Sequence, residues 1–335
     1  MNSAVAIEKH SSGAVRRLPV FSALIQKGGA GKTTVNSTFA EYCAIVRGLR
    51  VLVIDLDPQC NMSKIYHLVE TDGHGIDALK PIIHPAFDPN NAEDVAIYNQ
   101  RSSIADVYEG KEVLPYETFI NSQNGYKGSL DIIPGYQKKL TTMSAKFSIG
   151  ASEEEVSPRL SGVTLDEFVS QLSKFLAGDA LSEFYDIVIL DAGPSDNIFF
   201  RSVIFSATHI VCPYTPDEFT LSGVSTLMNV AQSPKRSVYG YNQLQFLGVL
   251  PSKISGTSKL AREYIKNNKE IYKDLHVPDG IYMQQTDELN GRKSNAMAYS
   301  GRAFSIFEDP KAKNRKHFEE VFSYFYNQVF QEAKA

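Results

Sequence analysis

A chain of 335 residues is long enough to fold as one large α/β domain or as two smaller ones. Its formal charge of -4 and pI near 6.0 exclude a global electrostatic footprint for nucleic acid, so any contact with DNA must come from a local patch. Cys43, Cys60 and Cys212 lie far apart, with no CxxC pair and no histidines at ligand spacing, which excludes a disulfide framework and a structural zinc. No apolar run approaches membrane-spanning length and no secretory h-region is present, so the expectation is a cytoplasmic protein without stable membrane insertion.

In chain order, residues 1–17 are small and polar and predict a flexible tail, with a single domain over 18–335. "LPVFSALIQ" then runs apolar almost without alternation, as a parallel strand does when both of its faces are covered. Similar runs recur at "LRVLVIDLD" (49–57), "YDIVILD" (185–191), "THIVCPY" (208–214) and "LQFLGVLPSKI" (244–254). Helical segments lie between them, among them "TVNSTFAEYCAIVRG" and "GVTLDEFVSQLSKFLAG", each closed by a glycine suited to a helix C-cap. The alternation predicts an α/β, doubly wound and mostly parallel sheet with helices on both faces. Two stretches exceed that minimum, near 70–100 and 141–162, and predict irregular surface insertions.

The first strand leads into "QKGGAGKTT" (26–34). Gly28, Gly29 and Gly31, with Ala30, let backbone N–H groups converge on one point, because residues without Cβ reach the positive φ values such a nest needs. The helix that follows adds its positive dipole end. Lys32 is placed to reach the β- and γ-phosphates of a nucleotide and the Thr33 hydroxyl to take a place on Mg²⁺, with Thr34 completing the cradle. A standard loop of this kind needs no second lysine, yet Lys27 is present.

"KGGAGKTT" resembles the deviant Walker A motif of the ParA/MinD family of ATPases, and the resemblance extends from about residue 18 to 330. It implies a P-loop fold, ATP and Mg²⁺ as ligands, hydrolysis to ADP and phosphate, and a homodimer formed with ATP. In that family the early lysine, here Lys27, crosses to the phosphates bound by the other subunit, where a cation neutralises developing charge. "DLDPQCN" is similar to the family's DxDPQGN, whose second acid, here Asp57, positions or activates the attacking water; Asp55 then supports Mg²⁺ or the loop geometry. Two acids at a strand end can also cap the following turn. Asp191, closing "YDIVILD", matches the acid that holds Mg²⁺ through water. Cys60 stands where the family has glycine and Gly193 where proline is usual, which puts the local backbone in doubt at both places.

Within the family, the absence of paired cysteines argues against the iron–sulfur branches. The acids of "HFEEVFSYFYNQVFQEAKA" argue against a lipid-lying terminal helix, and its Phe318, Val321, Phe322, Phe325, Val329 and Phe330 fall at the spacing of a core-packed face. A ParA-like partition ATPase remains, one that binds nonspecific DNA, becomes nucleoid-associated with ATP, and is stimulated by a ParB-like adaptor or centromere-binding protein. The alternative is a MinD-like, nucleotide-switched regulator of membrane or cargo positioning that does not bind DNA. Thirteen basic and eight acidic residues lie between 253 and 316, a regional excess in an acidic chain. Lys259, Arg262, Lys266, Lys269 and Lys273 follow three- and four-residue steps along one helical stripe, which suits either phosphate contact or an ordinary solvated face. Arg292 and Lys293 are further candidates for DNA contact. With only some twenty residues before the first strand, an added operator-binding domain is not expected.

Overall fold

The computed structural model describes residues 18–71, 78–147, 162–195, 197–215, 224, 227, 244–254, 259–285, 305–312 and 314–331. The predicted tail over 1–17, most of the second predicted insertion, and Arg292 and Lys293 lie outside them.

In chain order the elements are β1 (Val20–Ala23), α1 (Lys32–Glu41), β2 (Arg50–Asp55), α2 (Asn61–Ile65), β3 (Val69–Thr71), β4 (Leu79–Pro81), α3 (Ala92–Ile97), α4 (Ile104–Tyr108), β5 (Tyr116–Glu117), β6 (Ser129–Ile133), α5 (Gln137–Lys146), α6 (Leu165–Leu176), α7 (Asp179–Phe184), β7 (Ile187–Asp191), α8 (Ile198–Ser206), β8 (His209–Tyr214), β9 (Gln245–Pro251), α9 (Lys259–Tyr272) and α10 (Arg315–Gln331). Seven strands form one sheet in the order β5-β6-β2-β7-β1-β8-β9. All its pairings are parallel except the edge pair of β5 with β6.

The unbroken apolar runs of the sequence have a simple cause. Alternate residues of each central strand enter different cores: Leu52, Ile54, Val188 and Leu190 face α4, α6 and α8, whereas Val51, Val53, Ile187 and Ile189 face α1 and α10. Phe318, Val321, Phe322 and Phe325 of α10 are fully buried, and Phe39 of α1 stacks on Phe322 with ring centroids 5.7 Å apart. The aromatic face of the last helix therefore belongs to the core.

Some local expectations change. The 70–100 segment contains an antiparallel pair, β3 with β4, and the short helix α3 capped by the Asn91 side chain. Strands of three residues are too short to show a period. The second predicted insertion begins late, because α5 continues through Lys146. Gly48 has the positive φ of a helix-ending glycine (φ 70), after a π-helical turn at Tyr42–Val46. Gly178 does not: at φ -65 it is extended and opens α7.

Candidate nucleotide site

The loop 26–31 joins β1 to α1 at the C-terminal edge of the sheet, where β1 lies between β7 and β8. Ligands of open α/β sheets bind at such a switch in strand order. Gly29 and Gly31 have φ values of 76 and 90, so both occupy conformations that a side chain would oppose. Gly31 is the N-cap of α1 and supplies no side-chain cap, which leaves the first N–H groups of the helix to a ligand. Over the loop lies a cavity of about 400 Å³, lined on one side by Gly28, Gly29, Gly31, Lys32, Thr33 and Thr34 and on the other by Asp57, Gln59, Asn61 and Lys64.

Beneath the cavity, Thr33 Oγ1 donates to Asp191 Oδ2 at 2.8 Å, and Asn36 Nδ2 donates to Asp191 Oδ1, also at 2.8 Å. Asp191 is fully buried, and that burial raises its carboxyl to about 6 against the hydrogen bonds from Asn36 and Thr33. A hydroxyl beside a carboxylate is an oxygen-donor pair of the kind a hard divalent cation takes together with phosphates and water. Among the described residues no cluster of three or more His, Cys, Asp or Glu side chains could hold a metal ion.

Lys32 is also buried, and burial lowers its pKa while Asp191 and Asp57 oppose the shift. Its Nζ donates to the Lys27 carbonyl at 2.8 Å, which closes the loop on itself. An anion brought into this cradle is stabilised by the same ammonium. Lys27 sends its own Nζ to Thr215 Oγ1 at 3.3 Å, at the end of β8.

The two acids after β2 separate sharply. Asp55 is fully buried and opposite Asp191 in the strand register. It accepts from Ser63 N–H (2.8 Å), Ser63 Oγ (2.6 Å) and Asp57 N–H (3.1 Å), so both of its oxygens hold the loop leading into α2. Burial first, then the nearby Asp191 and Asp57 carboxylates, push its carboxyl well above the usual range. Loop geometry is one of the two roles expected for Asp55, and these hydrogen bonds are of that kind. Asp57 instead lines the cavity, where its carboxylate accepts from Gln59 N–H at 2.9 Å and Asn61 Nδ2 at 3.1 Å. The capping role and the position over the cavity coexist in one side chain.

Both departures from the motif find room. Cys60 adopts φ 51, the left-handed region that favours glycine, and its sulfur lies 2.9 Å from where a Cβ on Gly135 would sit. A Cβ on Gly193 would sit 2.9 Å from Asp57 Oδ1, so glycine there leaves space for that carboxylate.

Residues 20–244 match the AAA_31 family, an AAA domain. The chain belongs to that family, among the ParA/MinD partition ATPases. The chromosome-partitioning ATPase Soj of Thermus thermophilus is 26% identical over 74% of this chain and 74% of its own. A putative plasmid partition protein of Borrelia burgdorferi, solved with AMPPNP, shares 15% identity at a TM-score of 0.58, over 93% of this chain and all of that one (100%). The pNOB8 ParA bound to nonspecific DNA shares 17% identity at a TM-score of 0.55, over 95% of this chain and 99% of that one. These two structures share the fold of this family member.

Sequence reasoning on this ParA/MinD-family chain missed several residues of the site. Asn36 was detectable, since it lies three residues after Thr33 and hence on the same helix face. Ser63 and Lys64 carried no signal, because α2 is only five residues long. In α9, Lys259, Arg262 and Lys266 are exposed, but Lys269 pairs with Asp279 at 2.6 Å. Among the described residues no helix is long and apolar enough to cross a membrane.

Proposed function

We propose that the chain binds and hydrolyses Mg-ATP at this cavity, dimerises on ATP, coats DNA without reading sequence, and releases it when an adaptor stimulates hydrolysis. The observation that carries the reading is the Thr33–Asp191 pair at 2.8 Å beneath the glycine loop, with Asp57 lining the same cavity. In this scheme the Gly29 and Gly31 backbone and Lys32 bind the phosphates, Thr33 and Asp191 hold the metal, and Asp57 orients water and takes up its proton. Mg²⁺, when bound, supplies charge neutralisation at the phosphate oxygens. Lys27 leaves Thr215 and reaches the nucleotide of the other subunit, so the isolated subunit is a slow enzyme.

The DNA part rests on the exposed Lys259, Arg262 and Lys266 of α9 and on the fold shared with a ParA solved on nonspecific DNA. A basic face of this kind attracts phosphates by releasing counterions and needs no base contact. The test is binding to random-sequence duplex in ATP and in ADP, across a salt series. Retention only with ATP, falling steeply with salt, is expected. Equal binding in both nucleotides, or retention on anionic liposomes in place of DNA, contradicts it.

A further inference from the structure

The end of β9 carries a feature that no motif predicts. Lys253 is a non-glycine residue at φ 58, in the left-handed region, where the Cβ of an L residue crowds the carbonyl oxygen that follows. Such strain persists only where the surroundings fix it. Here they do: Ser252 N–H donates to Tyr214 O at 2.7 Å, and Ile254 N–H donates to Met283 O at 3.0 Å, so the backbone is held on both sides of Lys253.

That fixed turn meets the phosphate loop. A Cβ built on Gly31 would sit 2.5 Å from Ser252 Oγ, which means the Ser252 hydroxyl fills the space beside this glycine. A Cβ on Gly29 would sit 3.7 Å from Lys253 Nζ, so the exposed Lys253 side chain brings its ammonium against the loop. Two neighbouring residues thus touch the two glycines of positive φ that shape the cradle.

Strand order puts this cation on the side of the loop away from Asp57. Asp57 follows β2 and Lys253 follows β9, and each strand is separated from β1 by one intervening strand, on opposite sides. Asp57 marks the terminal-phosphate end if it orients water. The remainder of the nucleotide then crosses the loop toward β8 and β9.

We infer that Lys253 is a nucleotide-binding residue, whose ammonium contacts the nucleoside-proximal phosphates from the β9 side. The inference rests on the ATP-binding reading of the cavity and adds a contact outside the glycine-loop motif. Because the contact excludes the terminal phosphate, ATP and ADP feel it alike.

The test is calorimetric titration of the full-length chain with Mg-ADP and with a magnesium complex of a non-hydrolysable ATP analogue. Lys253→Gly and Lys253→Asn both tolerate the left-handed backbone and remove the charge, and Lys253→Arg keeps it. The expected result is affinity weakened about tenfold for both nucleotides in the first two variants, as suits loss of a charge-assisted contact, and near wild-type affinity in the third. Lys253→Gly should melt no lower than wild type. Wild-type binding with unchanged affinity in the glycine and asparagine variants overturns the role of Lys253 and leaves the site intact. Weakening of the ATP analogue alone also overturns it, by placing the lysine at the terminal phosphate. A wild type that binds neither nucleotide overturns the ATP reading itself, and this inference with it.

Discussion

The phosphate-loop region and the basic face of α9 show how differently two kinds of site are built. Beneath the loop the charged and hydroxyl groups are tied to one another: Thr33 and Asn36 to Asp191, Ser63 to Asp55, Lys32 to the Lys27 carbonyl. On α9 the lysines and arginine stand on the surface, and one that is tied, Lys269, is tied to an exposed aspartate. A buried site needs particular atoms at particular places, because unpaired buried polar groups are costly. A counterion-releasing surface needs only charge.

The largest effect should appear at the chemistry proposed for the first region. Asp57→Asn keeps the shape of the side chain but not its basicity, so turnover should fall about 10²- to 10⁴-fold with nucleotide affinity nearly unchanged. Steady-state phosphate release together with a binding titration checks it, and equal loss of both would move Asp57 from catalysis to binding. Next comes the second region. Lys259→Glu with Lys266→Glu should weaken ATP-dependent DNA binding about tenfold or more and flatten its salt dependence, leaving basal ATP turnover alone. Unaltered DNA binding would reduce the α9 stripe to a solvated face.

A third substitution separates the two acids after β2. Asp55→Ala strands the Ser63 and Asp57 N–H groups in a buried loop and should destabilise the fold by roughly 1–3 kcal/mol in denaturant melts. A neutral effect on stability, with loss of Mg²⁺ dependence, would return Asp55 to the metal. The smallest effect belongs to β8, whose end carries Thr215. Burial depresses His209 from 6.5 to about 4, so it stays neutral in the fold where an unfolded chain would protonate it. The stability held above pH 6.5 is therefore lost as pH falls toward 4, about 1 kcal/mol of it by pH 5.5. His209→Gln should lose less stability than wild type over that window, and parallel curves would contradict the assignment.

The same contrast explains what could be read in the chain beforehand. The strands were legible because both sheet faces are covered, and the loop because positive φ at Gly29 and Gly31 and the anion cradle demand a short fixed spelling. The motif separated Asp57 from Asp55 but left Asp55 between metal and loop, since a sequence does not show that its carboxylate turns under the loop toward Ser63. Lys253 was visible only as one more basic residue, because its meaning lies in a backbone angle and in a strand order set by residues far away. Short elements such as β3, β4 and α3 carried too few residues to show a period.

In the proposed dimer two copies close over bound triphosphate, each lending Lys27 to the other. Light scattering on the Asp57→Asn variant, which holds ATP without consuming it, tests this most directly. A molar mass that doubles with Mg-ATP, stays single with Mg-ADP, and fails to double once Lys27→Gln is added is the predicted result. A single mass at saturating Mg-ATP, or a dimer indifferent to Lys27, would contradict it.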